Sequence, residues 1–365
     1  MLQRSLLGLA LVAGCGASPS SPSSPSSSGT TPARPASAFD PAAQLPTASE
    51  DVTFGSGDVP GTLVHPTAPG KYPGIIFMAG SGPTDRDWNS PLIPAKNGSG
   101  KLLAEALAAH GAVVLRFDKA GVGGNKHAVT GDATFDIYRD EGRAALALLR
   151  ARPDVDAAHL FVAGHSEGAY HAARVAEAEG HAIAGVLLLS GAGRTLESIL
   201  LAQIDGQLRT AMPAQAEAVM AALHRAFDDF AASKPVDPDQ VTTIPALRMV
   251  LRSAMAPQSA TLARGLLRFD PLPVVATLDV PVFIYNGEKD IQVDPAIDTK
   301  ALVEARKGKD VTEFLAPDAN HVLEHEARAK AELSPGTVKY NEPDRVLDPA
   351  TVDAISKWIA TISKR

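Results

Sequence analysis

Six short apolar runs, each bounded by Gly, Pro or Asp, punctuate this chain: Gly74–Met78, Ala112–Phe117, Leu160–Ala163, Ala184–Leu189, Val282–Tyr285 and Val311–Leu315. Runs this short, apolar and rich in β-branched residues read as strands buried on both faces. Between them, sets such as Leu102, Leu103, Ala106 and Leu107, or Ala144, Ala145, Leu148 and Leu149, recur at helical spacing. Strand and helix in alternation predict an α/β fold, a mostly parallel sheet flanked by helices. Two weaker runs, Val52–Phe54 and Thr62–His65, enclose Gly55-Ser56-Gly57-Asp58 and predict an antiparallel hairpin at one edge.

The alternation lapses between Arg194 and about Leu272. Leu196, Ile199, Leu200, Ile204 and Leu208 form one helical stripe there, and Val219, Leu223, Phe227 and Phe230 form another. Asp237-Pro238 followed by Gln240 offers a cap, a first-turn proline and a capping-box partner for a third helix. The spacing therefore predicts a helical cap over about 194–272, set above the carboxyl edge of the sheet, where ligands of open α/β sheets bind.

The amino-terminal 47 residues are of a different kind. Met1–Arg4 is a short positive start, and Leu6–Ala13 is apolar but too short to span a bilayer, so residues 1–14 read as an export signal. Val12-Ala13-Gly14-Cys15 resembles the lipobox of bacterial lipoproteins, which implies cleavage before Cys15, lipidation of its thiol and an anchor in the cell envelope. By the same resemblance, the absence of Asp after Cys15 implies the outer membrane where there are two; an ordinary secretory signal is the plainer alternative. Residues 16–47 are dominated by Ser, Pro, Ala and Thr and predict a disordered tether, leaving 48–365 for the fold.

Composition removes several classes of function. With 34 Lys+Arg against 41 Asp+Glu and a formal charge of -7, the chain has no basic surplus for nucleic acid, and contact with a membrane is expected only through the lipid anchor. One cysteine excludes an intramolecular disulfide framework and a Cys-based zinc site.

The run Leu160–Ala163 leads directly into Gly164-His165-Ser166-Glu167-Gly168, and a helical segment follows. G-x-S-x-G at a strand-to-helix turn is a nucleophile elbow: the turn strains the serine, and the glycines remove Cβ atoms that would collide with neighbouring backbone. Such a serine needs a base to take its proton and an acid to orient that base, in the chain order Ser, acid, His. Asp290 falls just after the run Val282–Tyr285, and His321 just after Val311–Leu315. All three sit at carboxyl ends of strands, which assigns Ser166, Asp290 and His321 as the catalytic set. Asp294 and Asp318 are competing acids, and His325 a competing base. His321-Val322-Leu323-Glu324-His325 also fits H-x-x-E-H, a zinc pattern that requires both histidines on one helix. Gly121-Val122-Gly123-Gly124 lacks the remaining glycine or Lys-Ser/Thr of a phosphate loop and reads as a tight turn. Asp85-Arg86-Asp87 fits either a salt-bridged loop or a patch that positions substrate.

Ala79-Gly80-Ser81-Gly82-Pro83-Thr84-Asp85-Arg86-Asp87, Phe117-Asp118-Lys119-Ala120-Gly121-Val122-Gly123, the serine motif, Asp270-Pro271 and Asn286-Gly287-Glu288-Lys289-Asp290 together resemble α/β-hydrolases of the esterase and peptidase-like kind. The resemblance spans roughly residue 52 to the carboxyl terminus. It implies a carboxylesterase-like hydrolase acting on a small-molecule acyl substrate, with no cofactor and no metal, and an oxyanion hole made by the backbone N–H groups of Ser81 and Glu167. Ala79 departs from the histidine usual before that glycine, so the loop must be supported in another way. A peptidase or thioesterase would use the same residues; a lipoprotein that binds without catalysis is the alternative of another class.

Overall fold

The computed structural model describes residues 39–56, 58–91, 95–334, 337, 338, 340, 341 and 346–365. Cys15 and the expected export signal lie outside the described residues. Strands β1 (Thr47–Phe54), β2 (Val59–Pro66) and β3 (Tyr72–Met78) precede helix α1 (Ser99–Ala109), strand β4 (Val113–Phe117) and helix α2 (Asp136–Ala151). Then come β5 (Val155–His165), α3 (Gly168–Glu179) and β6 (Gly185–Leu189). The insertion carries α4 (Leu196–Ala211), α5 (Pro213–Ala231), α6 (Pro238–Val241), α7 (Pro245–Ala254) and α8 (Ala260–Arg268). The chain closes with α9 (Pro271–Thr277), β7 (Val282–Gly287), α10 (Lys300–Ala305), β8 (Val311–Ala316) and α11 (Pro349–Ile362).

The sheet runs β1-β2-β4-β3-β5-β6-β7-β8. β1 and β2 form the expected edge hairpin, β2 pairs antiparallel with β4, and every other pairing is parallel. This is the α/β-hydrolase architecture that the motifs imply. From β3 the chain crosses through α1 to β4 on one side, and from β4 it returns through α2 to β5 on the other. The strand order therefore reverses at β3, and a crevice opens at the carboxyl ends of β3 and β5.

Burial follows the periodicities. β3, β4 and β6 are buried along their whole length, as expected for strands covered on both faces. Leu146, Leu149, Ala172 and Val175 from α2 and α3 cover one face of the sheet, while Leu103 and Leu107 of α1 and Ile355 and Ile359 of α11 cover the other. The cap has its own core, including Ile204, Leu208, Leu223, Phe227 and Leu262. Two expectations are corrected. The chain is packed from Phe39, which is buried, and Leu45 N donates to Ala109 O at 2.8 Å, so residues 39–46 belong to the fold and not to a tether. The helix expected at Pro238 is a single turn: Asp237 caps it through the Asp239 amide, but Thr242 leaves helical geometry and Pro245 starts α7 afresh.

Arg306 joins the end of the cap connection to the last strands. Its guanidinium is buried and donates to the carbonyls of Val275, Leu278, Val280 at 3.0 Å and Asp310 at 2.9 Å. Burial alone pulls its pKa below the usual arginine value, with Asp310 and Asp279 opposing. Four carbonyls aimed at one planar fork are what lysine cannot satisfy. Arg306→Met should lower the free energy of urea unfolding by at least about 3 kcal/mol, with Arg306→Lys recovering only part of it.

Candidate active site

At the end of β5 the chain turns so tightly that a Cβ on Gly164 would lie 2.0 Å from Gly168 O, and one on Gly168 would lie 2.2 Å from Met78 O. Both positions are closed to any side chain. Ser166, between them, is held at φ 55°, a left-handed conformation that an L-residue adopts only under constraint. Its N–H donates to Leu189 O at 2.9 Å, which pins the elbow to β6. α3 starts at Gly168, so the hydroxyl and the Glu167 amide stand at a helix amino terminus, where the peptide dipoles favour negative charge.

The register carries the other residues to the same rim. Met78 pairs with Gly164, His165 with Leu189, Leu189 with Tyr285, and Gly287 with Ala316. Ser81, Ser166, Asp290 and His321 each follow within a few residues of this line. Asp290 is fully buried and both its oxygens are engaged: Oδ1 accepts the Gln292 and Val293 amides at 2.7 and 3.0 Å, and Oδ2 lies 2.7 Å from His321 Nδ1. That contact puts the imidazole proton on Nδ1 and leaves Nε2 as the acceptor. The competing acids are engaged elsewhere: Asp294 caps the Ala296 amide, and Asp318 pairs with Lys289. His325 is half-exposed, beside Asp348.

The His321 loop is a turn and not a helix, so the histidines of H-x-x-E-H do not share a helical face. Asn320 closes it, its Oδ1 accepting the Val322 and Glu324 amides, while Leu323 takes φ 63°. Lys289 Nζ ties the acid loop to it, donating to Asp318 and to Glu326 O.

Ser166 and His321 line one cavity of about 140 Å³ with Gly80, Ser81 and Glu167. Among the described residues Ser166 Oγ makes no hydrogen bond to His321, and neither the Ser81 nor the Glu167 backbone N–H donates to another protein group. Thr84 Oγ1 donates to Ser81 O at 2.6 Å and braces the loop where Ala79 replaces histidine. Leu196, Ile199 and Leu200 of α4 line the cavity from the cap, together with Val293 and Val322 from the loops after β7 and β8. Asp85-Arg86-Asp87 lies outside this cavity as a salt-bridged loop, with Arg86 on Asp118 at 2.8 Å and Asp87 on Arg116. Asp270 is a helix cap, accepting the Leu272 amide.

Sequence reasoning passed over three parts of the site. Trp88 stacks between Phe77 and His165 at ring separations of 5.3 and 4.8 Å, and His165 in turn meets the His321 ring at 4.9 Å. His165 Nε2 donates to His321 O at 2.8 Å and so holds the backbone of that loop. Burial, helped by nearby His321, pushes the His165 pKa down to about 3, which keeps the ring neutral. The Glu167 side chain, turned inward, is the third: burial opposes its charge, but Lys119 and then His171 outweigh burial and hold its pKa down to about 2. No periodic signal marks any of these; the only cue was that His165 and Glu167 lie inside the serine motif and Trp88 directly follows the stretch Ala79–Asp87.

An unfolded chain takes up the His165 proton near pH 6.5 while the folded one resists until about pH 3, so folding loses stability as pH falls through that window. Between pH 7 and 5, urea unfolding should show the native protein losing about 2 kcal/mol more than His165→Gln, whose amide still reaches the His321 carbonyl.

Residues 98–328 match the family described as Serine aminopeptidase, S33 (Hydrolase_4). The chain is also similar to Esterase EstD of Thermotoga maritima, 24% identical over 314 residues that cover 86% of this chain and 68% of that protein. Among solved structures, the proline iminopeptidase of Mycobacterium smegmatis is 16% identical, with 87% of this chain and 99% of that one covered at a TM-score of 0.51. Est1E of Butyrivibrio proteoclasticus, with ferulic acid bound, is 16% identical, with 86% and 100% covered at a TM-score of 0.52. These two share the fold. With most of the sheet, the elbow and the His321 loop inside the matched span, the chain belongs to the Serine aminopeptidase, S33 family of α/β-hydrolases.

Proposed function

We propose that this hydrolase cleaves carboxylic esters of small molecules through an acyl-enzyme on Ser166. The reading is carried by one observation: an imidazole fixed 2.7 Å from a buried carboxylate lines the same cavity as a serine strained to φ 55°. His321 Nε2 takes the Ser166 proton as Oγ attacks the acyl carbonyl, and Asp290 stabilises the imidazolium. The Ser81 and Glu167 amides receive the oxyanion. Collapse breaks the ester C–O bond, and His321 returns the proton to the departing alkoxide. Water, deprotonated by the same imidazole, then releases the acid and restores Ser166.

Esters are favoured over peptide amino termini by the lining of the cavity. Removing an amino-terminal residue requires a carboxylate for the substrate ammonium. Among the described lining residues the carboxylate is Glu167, whose charge Lys119 already takes at 3.2 Å. The apolar wall from Leu196, Ile199 and Leu200 suits an acyl chain. The esterase name of the Thermotoga maritima relative points the same way. Export and anchoring through Cys15 belong to the same proposal and place the reaction in the cell envelope.

A fluorophosphonate should label Ser166 alone, and Ser166→Ala should abolish both labelling and turnover of p-nitrophenyl esters. Asp290→Asn should lower kcat by on the order of 10³- to 10⁴-fold with a smaller effect on KM. Faster turnover of aminoacyl amides than of esters in the same panel would replace the ester reading by a peptidase one. Cys15→Ala should release the protein from the membrane fraction of the producing cell.

A further inference from the structure

Lys119 is a buried cation directly beneath the cavity, and nothing in the proposed reaction uses it. Its ammonium donates to Gly80 O at 2.5 Å and to Glu167 Oε1 at 3.2 Å, and stands 5.4 Å from the centre of the Tyr138 ring. Gly80 O belongs to the peptide unit whose nitrogen is that of Ser81. In a trans peptide the C=O and N–H point in opposite directions, and the described chain contains no cis bond. A donor that draws the carbonyl down into the interior therefore turns the Ser81 N–H up, toward the cavity. The second partner, Glu167, carries the other amide assigned to the oxyanion. One ammonium thus touches the peptide unit that carries the Ser81 N–H and the residue that carries the Glu167 N–H, the two amides assigned to the oxyanion.

The chemistry of the surroundings fits this task. Glu167 is held anionic, with His171 Nε2 donating to the same Oε1 at 3.2 Å, so the pair Lys119–Glu167 is a closed unit of opposite charges. A buried pair of this kind adds little net stability compared with apolar residues of the same volume. What it supplies is direction: rigid donors aimed in advance, which cost no reorganisation when negative charge develops. We infer that Lys119 is a positioning residue of the oxyanion hole, setting the Gly80–Ser81 peptide plane through the Gly80 carbonyl and locking it to the elbow through Glu167. The inference rests on the acyl-enzyme reading and deepens it.

The test removes the charge pair as a unit, so that no lone charge is left buried. In Lys119→Met/Glu167→Gln, kcat for an ester should fall about 10- to 100-fold with KM nearly unchanged, less than the loss of a whole oxyanion donor. The inhibition constant of a trifluoromethyl ketone, which forms a tetrahedral oxyanion on the serine, should rise by the same factor. A substrate-like amide that binds without reacting should keep its affinity. Lys119→Gln/Glu167→Gln, which restores a neutral donor to the Gly80 carbonyl, should recover most of the loss. A role confined to stability would lower the unfolding midpoint and leave the ketone-to-amide ratio where it was. A folded Met/Gln protein with native kcat and native ketone affinity overturns the inference. Should that variant not fold, the native protein decides: the ¹⁵N-ammonium signal of Lys119 should be protected from exchange and coupled to the Gly80 carbonyl carbon, and a freely exchanging signal overturns the inference. Failure of the acyl-enzyme reading itself would look different, as native protein that no fluorophosphonate labels at Ser166.

Discussion

Where β5 turns into α3, two stretches of backbone approach until no side chain fits between them, and the rest of the site takes its position from that contact. Gly164 faces the Gly168 carbonyl and Gly168 faces that of Met78, so the elbow is pressed at once against its own helix and against the end of β3. The strain on Ser166 is the local cost, of order 1–3 kcal/mol, and the surrounding sheet over-determines it. Because β3 lies beside β5 in parallel register, the same contact brings the Gly80–Ser81 loop alongside the hydroxyl. Strained backbone recurs around the cavity, at Trp88 with φ 67° and Leu323 with φ 63°, and nearby in the turn after β6 at Ser190 with φ 48°.

Charge inside the fold is handled by three different devices. Among the described residues Arg306 hydrogen-bonds to no carboxylate and is solvated by a ring of main-chain carbonyls, which makes it a staple between the end of the cap connection and the last strands. Lys119, Glu167 and His171 instead form a compact set in which opposite charges offset desolvation. Neighbouring Glu141 is a third variation: burial pushes its pKa up, while Asn125, His127 and the Ala120 amide favour the ionised form. In each case partners assembled from distant parts of the chain decide whether a buried ion is tolerable.

That dependence on assembly marks what a linear reading reaches and what it misses. All six short runs became strands, the inner ones because a segment buried on both faces must be largely apolar, whereas Val311–Leu315, with Thr312 and Glu313 exposed, became the edge strand β8. The common location of Ser166 and His321 at one cavity, with Asp290 against the imidazole, was legible for a related reason: parallel strands bring their carboxyl ends together, so residues just past such ends come near one another whatever separates them in sequence. Phe39 was missed because one aromatic in a Ser/Pro-rich stretch carries no periodicity, and it packs only once His110 offers its ring edge at 6.3 Å. The inward roles of Lys119, His165 and the Glu167 side chain were missed because a charged or polar residue in a loop looks solvated until three-dimensional neighbours close around it. The cap helices announced their apolar stripes, but not which stripe faces the cavity.

The two tryptophans of this chain sit in unlike places: Trp358 packs from α11 against Phe161 and Phe283, whereas Trp88 stacks on His165, one ring removed from His321. An indole so close to the imidazole pair is a built-in optical reporter. Its emission should register occupancy of the cavity without any attached dye, with Trp358, which does not line the cavity, serving as an internal reference.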